Sequence, residues 1–331
     1  MMPLQAGPSW FGIPLVELWF VALFLTLAMF LWLDGTNFGM GVLYGLVDGH
    51  ETKETILTAL APLWDGAEVW LVVFGGALFA VFPDVYGGLF SGYYLLMFAI
   101  LGSLIIRGIS PEFLEQREDE SWRRAWGTTF ILGSTLAPFF LGMFAANWLV
   151  GASGILSLPG VVVGLALVAL STAQGAGFLG MKTAGGLDET VTRYGLLSQV
   201  VYLVLAVVTV IYLYVGVEGM AAKVVHPVPL ALVGLTALLG VAYLWLLQAR
   251  QYRPAFLAAG TQLFGLVALV AVLLFPVIYP VTGLTVFEAA VSTLQLKMMT
   301  VVLAIFLPLV LLYFAVLYSS FSGPVDTAEG Y

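Results

Sequence analysis

Nine long apolar stretches, broken at glycine, proline and charged clusters, constrain this chain more than any other feature. A membrane-spanning helix needs about 20 mostly apolar residues, and each stretch is at least that long. They cover residues 15–43, 61–82, 87–108, 126–149, 156–181, 194–217, 228–249, 256–280 and 291–321. Only 9% of the 331 residues are charged, against about 25% in a typical soluble domain. The sequence therefore predicts an all-α, polytopic membrane protein with about nine transmembrane helices.

Lysine and arginine fall almost entirely on one side of these nine spans. Basic residues accumulate in short loops on the cytoplasmic side of membrane proteins. Of the eleven cations, only Lys223 and Lys297 belong to the opposite side. The other nine are Lys53, Arg107, Arg117, Arg123, Arg124, Lys182, Arg193, Arg250 and Arg253. This distribution predicts that the amino terminus is outside and the carboxyl terminus is cytoplasmic.

Two segments of the sequence resemble one another, one beginning at position 34 and the other 140 residues later at position 174. Asp34-Gly35-Thr36-Asn37-Phe38 lies near the end of the first span, and Gln174-Gly175-Ala176-Gly177-Phe178 near the end of the fifth. A repeat of this kind indicates two four-helix bundles, residues 1–150 and 151–290, with a peripheral ninth helix and tail at 291–331. All three parts would form one integral membrane domain. A chance match stays open, because Gly-Phe pairs are frequent in membrane helices.

Three carboxylates fall inside or at the ends of predicted spans. A charge near the bilayer centre costs about 2.5 to 3.5 kcal/mol on insertion scales, so it needs a partner, water or a role. Asp65 and Glu68 are three residues apart, which puts both on one face of a helix. Two like charges so close in a low dielectric favour sharing a proton. With Asp34 on the same cytoplasmic half, they are candidates for a proton pathway.

Each of these polar candidates has a structural alternative. Asp65 is suited to capping a first helical turn, while Glu68 and Asp34 are suited to pairing with Arg107 or with cations of the loops. Most tryptophans of membrane proteins anchor the interface, which is the alternative for Trp64 and Trp70. For Gln174, a hydrogen bond between helices is favoured over contact with a ligand.

Composition and missing motifs exclude several function classes. The chain has no cysteine, which excludes disulfides, Cys-ligated zinc, iron–sulfur clusters and thiolate catalysis. Its two histidines, His50 and His226, fall in predicted loops, so we expect no haem or other metal bound by this chain alone. A net charge of -8 argues against nucleic acid as a partner. No P-loop, dinucleotide fingerprint or hydrolase motif is present.

The motifs resemble those of subunit II of the cytochrome bd-type quinol oxidases, nearly from end to end. The most specific is Trp-Asp-Gly-x-Glu-Val-Trp at residues 64–70. Further matches are Leu33-Asp34-Gly35 with Phe38-Gly39-Met40-Gly41, Arg107, Gln174-Gly175-Ala176 with Met181-Lys182-Thr183, and Gln295-Leu296 with Met298-Met299-Thr300. Arg107, Gln174 and Lys182 are candidates for helix packing or partner contact.

The resemblance implies a haem-free partner of a larger subunit I, in the plasma membrane of a prokaryote. That subunit would carry two b-type haems and an oxygen-reducing haem, of d or b type, in an oxidoreductase complex that oxidises quinol and reduces O2 to water. In this family, acidic residues matching Asp34 and Asp65 are associated with proton delivery and the region of Trp70 with oxygen entry, to which we add Trp64. Membrane lipid is an expected neighbour, and a small third subunit stays open.

Two positions depart from the family pattern, and two other functions stay in view. Asn37 stands where relatives commonly have a second Asp, and Ala67 where they frequently have Asn. Asn37 leaves span one with a single carboxylate for the proposed proton route, and Ala67 removes a polar neighbour of Asp65 and Glu68. A proton-coupled transporter would also use carboxylates and glycine-rich helices, and a purely structural scaffold is the third alternative. Neither would require a haem-bearing partner.

Overall fold

The computed structural model describes residues 8–60, 64–152, 154–183 and 187–320, and nine of its helices are 18 residues or longer. Eight of them are long and apolar enough to cross a membrane, and the ninth, at 64–81, contributes the shorter apolar helix Gly66–Val81. The nine are α1 (Leu15–Leu46), α3 (Trp64–Val81), α5 (Tyr94–Glu115), α6 (Glu120–Val150), α7 (Leu158–Lys182), α8 (Asp188–Gly216), α10 (Pro227–Gln248), α11 (Tyr252–Leu274) and α13 (Thr293–Ser320). The predicted all-α, polytopic membrane protein is confirmed.

Short elements connect the long helices. Four are helices: α2 (His50–Leu60), α4 (Pro83–Gly92), α9 (Met220–Val224) and α12 (Val286–Ala289). Two are antiparallel strand pairs: β1 (Ser9–Trp10) with β2 (Ile13–Pro14), and β3 (Val277–Tyr279) with β4 (Leu284–Thr285). The sequence analysis had assigned none of these short elements.

Local sequence explains where several helices begin and end. The side chain of Asp119 accepts a hydrogen bond from the Trp122 backbone N–H at 3.2 Å and so caps α6. Gly151 ends the same helix in a left-handed conformation, which glycine adopts without steric cost. Ser157 caps α7 by accepting from the Gly160 N–H, and Pro159 lies in the first turn of that helix.

Two predicted spans include residues that form short, separate elements in the structure. The stretch predicted as one span at 87–108 is divided, because Pro83 starts α4 and Tyr93, outside helical geometry at ψ 28°, separates it from α5. The span predicted to run to residue 280 ends at Leu274, because Pro276 cannot continue a helix. The chain after it forms β3 and turns back into β4.

Helix α1 lies at the centre of the molecule. It packs against α3, α6, α7 and α11. Contact with α7 is very close: a Cβ atom added at Gly39 would lie 1.9 Å from the backbone oxygen of Ser171. Glycine is therefore required at position 39 for the two helices to meet as they do.

The remaining long helices surround this central pair. Helix α5 packs on α6, α8 packs on α7 and α10, and α11 packs on α7 and α10. Helix α13 is largely exposed and touches α1, where Trp19 Nε1 donates to Thr300 Oγ1 at 3.0 Å. Burial is therefore concentrated around α1, α6, α7 and α11, and the polar residues described next lie within that interior.

Candidate functional site

A charged cluster made of Arg107, Asp34 and Glu68 joins α5, α1 and α3. Arg107 Nη1 lies 3.1 Å from Asp34 Oδ1, and Arg107 Nη2 lies 3.3 Å from Asp34 Oδ2. The same Nη2 atom donates to Glu68 Oε1. One guanidinium thus bridges two carboxylates that are 34 residues apart along the chain.

The Asp34 side of the cluster is sealed from solvent. The Asp34 and Arg107 side chains are 0% and 2% exposed. Asn37 Nδ2 donates to Asp34 Oδ1 at 3.1 Å, and the Arg107 guanidinium lies 5.1 Å from the centre of the Phe38 ring. A buried carboxylate is tolerated only when it is paired and hydrogen-bonded, and Arg107 and Asn37 meet both conditions.

The Glu68 side of the cluster reaches outward. Its side chain is 40% exposed, although it contacts the fully buried Arg107. The described part of the cluster therefore runs from an accessible carboxylate, through a guanidinium, to an inaccessible carboxylate. With one positive and two negative charges, this set has a net charge of -1 and can accept one proton without acquiring excess positive charge.

The structure brings only part of the predicted proton-pathway set together. Glu68 and Asp34 share Arg107 as their partner, so the ion-pairing alternative of the sequence analysis is present in the structure. This pairing does not exclude proton transfer, because Arg107, Asp34 and Glu68 together retain a net charge of -1. The side chains of Asp65 and Trp64 lie outside the described residues.

Gln174 and Lys182 both lie on α7. The Gln174 side chain is fully buried, and its Nε2 donates to the Trp32 carbonyl at 2.8 Å and to Thr36 Oγ1 at 3.0 Å. Gln174 therefore joins α7 to α1. Lys182 ends α7, with its Nζ 5.9 Å from the centre of the Phe178 ring.

An apolar cavity of about 460 Å³ borders the middle of α1, where its lining runs from Phe24 to Leu31, one turn before Asp34. It is bordered by α1, α3, α4, α5, α6, α7 and α11, and the lining includes Phe24, Leu71, Phe79, Ile100, Trp148 and Val267. The buried Trp70 immediately precedes the lining residue Leu71. The sequence analysis missed this cavity, because its lining comes from seven helices and carries no sequence pattern of its own.

Neither histidine of this chain lies inside a long helix, where it could bind a haem iron. His50 opens α2, and His226 precedes α10. Within residues 8–60, 64–152, 154–183 and 187–320, no three His, Asp or Glu side chains form a group that could hold a metal ion.

Comparisons with known proteins agree on one family. The profile of the family described as cytochrome bd terminal oxidase subunit II matches residues 15–321. The chain is 28% identical to cytochrome bd-I ubiquinol oxidase subunit 2 of Escherichia coli K12, covering 94% of this chain and 95% of the relative. It is also 28% identical to the Bacillus subtilis cytochrome bd ubiquinol oxidase subunit 2, there over 52% of this chain and 55% of the relative.

A solved structure shows the same fold. The bd oxidase from Geobacillus thermodenitrificans superposes with a TM-score of 0.60, covering 93% of this chain and 98% of the matched chain at 12% identity. At that identity the likeness concerns the fold alone. The profile match spans most of the sequence and confirms the resemblance drawn from the motifs, so the chain belongs to the cytochrome bd terminal oxidase subunit II family.

Proposed function

We propose that this chain is the haem-free subunit of a bd-type oxidase complex that oxidises quinol and reduces O2 to water, and that it delivers protons from the cytoplasm. The observation that carries the proton role is the charged cluster of Asp34, Arg107 and Glu68. It joins an accessible carboxylate to a sealed one through a single buried guanidinium. A purely structural ion pair would not need a second carboxylate.

Proton transfer through the cluster keeps its charge balanced. A proton arriving from water binds a Glu68 carboxylate oxygen and neutralises the net charge of -1. It then moves to Asp34, and Glu68 becomes a carboxylate again beside Arg107. We assign Asp65, one helical turn before Glu68, as the residue at the entry, on the basis of its sequence position.

Catalytic electron transfer is assigned to the partner, subunit I. The haems of that subunit would supply electron transfer from quinol and reduction of O2. The residues of this chain bind and pass protons and pack against the partner. Arg107 holds the two carboxylates close together, while Gln174 fixes α7 against α1.

Oxygen access is a second role for the chain. O2 is apolar and partitions into apolar space, and the cavity of about 460 Å³ has an almost entirely hydrocarbon lining. We assign Trp70 to the border of this route, because it is buried next to Leu71. Trp64 remains a candidate from the sequence.

Orientation follows from the distribution of cations. The amino terminus is assigned outside and the carboxyl terminus in the cytoplasm, which puts the charged cluster in the half of the membrane that faces the proton supply. The two four-helix units, 1–150 and 151–290, are retained as part of the proposal. They rest on the repeat in the sequence.

The proposal is tested by purifying the tagged chain from its native membrane. We expect it to carry with it a haem-bearing subunit and quinol-dependent oxygen uptake. The variant Asp34→Asn should retain the haem spectrum and lose oxygen uptake at least about tenfold, because a positioned proton carrier contributes about 10² or more to a rate. Asp84→Asn, at an exposed carboxylate in the first turn of α4, is the matched control.

Two results would contradict the proposal. If the chain purified alone, colourless and stable, the transporter or scaffold alternatives would replace the oxidase. If Asp34→Asn and Asp84→Asn both kept full activity, the complex would stand but the proton role of Asp34 would be lost.

A further inference from the structure

The hairpin formed by β1 and β2 presents an aromatic residue at its tip. Trp10 pairs with Ile13 across the two strands, so the turn between them contains only Phe11 and Gly12. Both turn residues have positive φ, at 50° and 77°. Positive φ at both central positions is typical of a type I′ turn, which favours asparagine followed by glycine. Gly12 fits this preference, whereas Phe11 does not.

Phe11 is one of two non-glycine residues with positive φ in the part of the chain that the structure describes, and the other is Arg250. A bulky side chain in this conformation is sterically unfavourable, so it needs a compensating contact. For Arg250 that contact is an ion pair, with Nη1 2.8 Å from Asp188 Oδ2. Phe11 has the Trp10 ring 5.2 Å away and is still 89% exposed. Its compensating contact must therefore come from outside the chain.

The hairpin lies at the end of the bundle where α1 begins. Phe11 is four residues before Leu15, the first residue of α1, so it lies no more than about 14 Å from the start of that span. Trp10 packs against the hydrophobic core and holds the hairpin on the bundle. Residues 8–16 carry no charged side chain, and Ile13 beside the tip is 50% exposed. The tip is thus an uncharged, apolar surface close to the end of a membrane span.

We propose that the tip of this hairpin, made of Phe11 and Ile13, inserts into the interfacial region of the surrounding lipid bilayer. Aromatic and aliphatic side chains are favoured at the boundary between headgroups and acyl chains. Burial of the Phe11 ring at that boundary offsets the unfavourable backbone conformation of the turn. The hairpin is therefore a lipid anchor for the start of α1.

Lipid is favoured over the two other possible neighbours of the tip. Asparagine would suit a turn that faces water, because it fits the turn and is polar. The family profile begins at residue 15, so the hairpin precedes the region that defines the family. A contact with subunit I that all members share would not use it. The anchor is also independent of the proton role and would stand if that role failed.

The test places a nitroxide spin label at the tip, in the assembled complex in phosphatidylcholine vesicles without quinol. The chain has no cysteine, so Phe11→Cys gives it a single labelling site. Wild-type complex treated with the label measures any background from the partner subunit. Collisions of the label with O2 report lipid, and collisions with a water-soluble nickel chelate report water.

Two further labelled positions calibrate this measurement. Val207→Cys, at an exposed residue of α8, is the lipid reference, and Glu118→Cys, in the exposed turn before α6, is the water reference. We expect the label at residue 11 to collide often with O2 and rarely with the chelate, closer to Val207→Cys than to Glu118→Cys. Frequent collisions with the chelate would show that the tip faces water and overturn the proposal. Rare collisions with both reagents would show that protein covers the tip, which overturns it equally.

A second label position keeps the proposal testable if Phe11→Cys disturbs the hairpin. The label is moved to Ile13→Cys, where lipid-like accessibility is again expected. Adding Phe11→Asn suits the turn but removes the apolar ring, so it should shift the label towards the chelate. Leu156→Asn, at a 77% exposed apolar residue just before α7, is the matched control and should leave the label unchanged. If Phe11→Asn shifted the label no more than Leu156→Asn does, Phe11 would not be the anchor.

Discussion

The charged cluster between α1, α3 and α5 and the amide pair between α8 and α11 are both polar groups buried in an apolar bundle, but they differ in charge and in access. In the amide pair, Gln199 Nε2 donates to Gln262 Oε1 at 3.0 Å, and Gln262 Nε2 donates to the Thr236 carbonyl at 3.2 Å. Both glutamines are fully buried. Neutral amides hold helices together at modest cost.

Carboxylates of the charged cluster can bind and release protons, which the amides cannot. It contains titratable groups, and Glu68 is 40% exposed while Asp34 is sealed. Charges at membrane depth are expensive and usually mark ion or proton pathways. The difference supports the proposed proton role of the charged cluster and a structural role for the amide pair.

The largest effect on stability is expected from Arg107→Gln. The substitution leaves Asp34 as a buried carboxylate without a counter-charge, which costs about 3–5 kcal/mol. Thermal unfolding of the purified complex measures this loss. The variant combining Arg107→Gln with Asp34→Asn removes both charges and should recover more than half of it. If the single variant were as stable as the double, the electrostatic account of the charged cluster would fail.

A smaller effect is expected from Gln262→Leu in the amide pair. The change leaves the Gln199 side-chain N–H₂ without its acceptor, at a cost of about 1–3 kcal/mol. Combining Gln199→Leu with Gln262→Leu should restore most of the stability, because both polar partners are then gone. Oxygen uptake by either variant should stay within about twofold of wild type. A large loss of turnover at normal stability would show that the amide pair is not merely structural.

The smallest effect concerns a carboxylate outside the membrane. A hydrogen bond from the Thr285 hydroxyl, helped by one from the Thr285 backbone N–H, lowers the pKa of Glu288 below its ordinary value of 4.5. The folded state therefore binds fewer protons than the unfolded state, and stability falls as the pH drops through 4.5 and then through the lower folded-state pKa. Thr285→Ala should flatten this dependence in thermal scans between about pH 6 and about pH 3.5. An unchanged slope would remove Glu288 as its source.

The length of the apolar stretches was sufficient to predict an all-α membrane protein. All nine apolar stretches correspond to long helices, because a span is encoded locally by length and hydropathy. The boundaries near Pro83 and Pro276 were wrong, because the chain there breaks into short elements that hydropathy averages over. The orientation of the termini stays a prediction.

The candidate site was only partly readable from the sequence. Asp34 and Glu68 stand out as carboxylates in apolar surroundings, and Arg107 was one of the partners proposed for them, but the sequence did not show that one buried guanidinium contacts both at once. Arg107 had been counted with the loop cations, whereas it is 2% exposed and lies between α1 and α3. That position depends on how three helices pack, which no local pattern encodes. The same reason hides the apolar cavity.

Proton uptake during a single turnover tests the central claim most directly. The complex is inserted into vesicles, reduced with quinol and exposed to a pulse of O2, while a pH dye reports protons taken up from the side of Glu68. We expect Asp34→Asn to bind O2 and begin electron transfer normally, with proton uptake slowed at least about tenfold. Proton uptake at the wild-type rate in that variant would contradict the account.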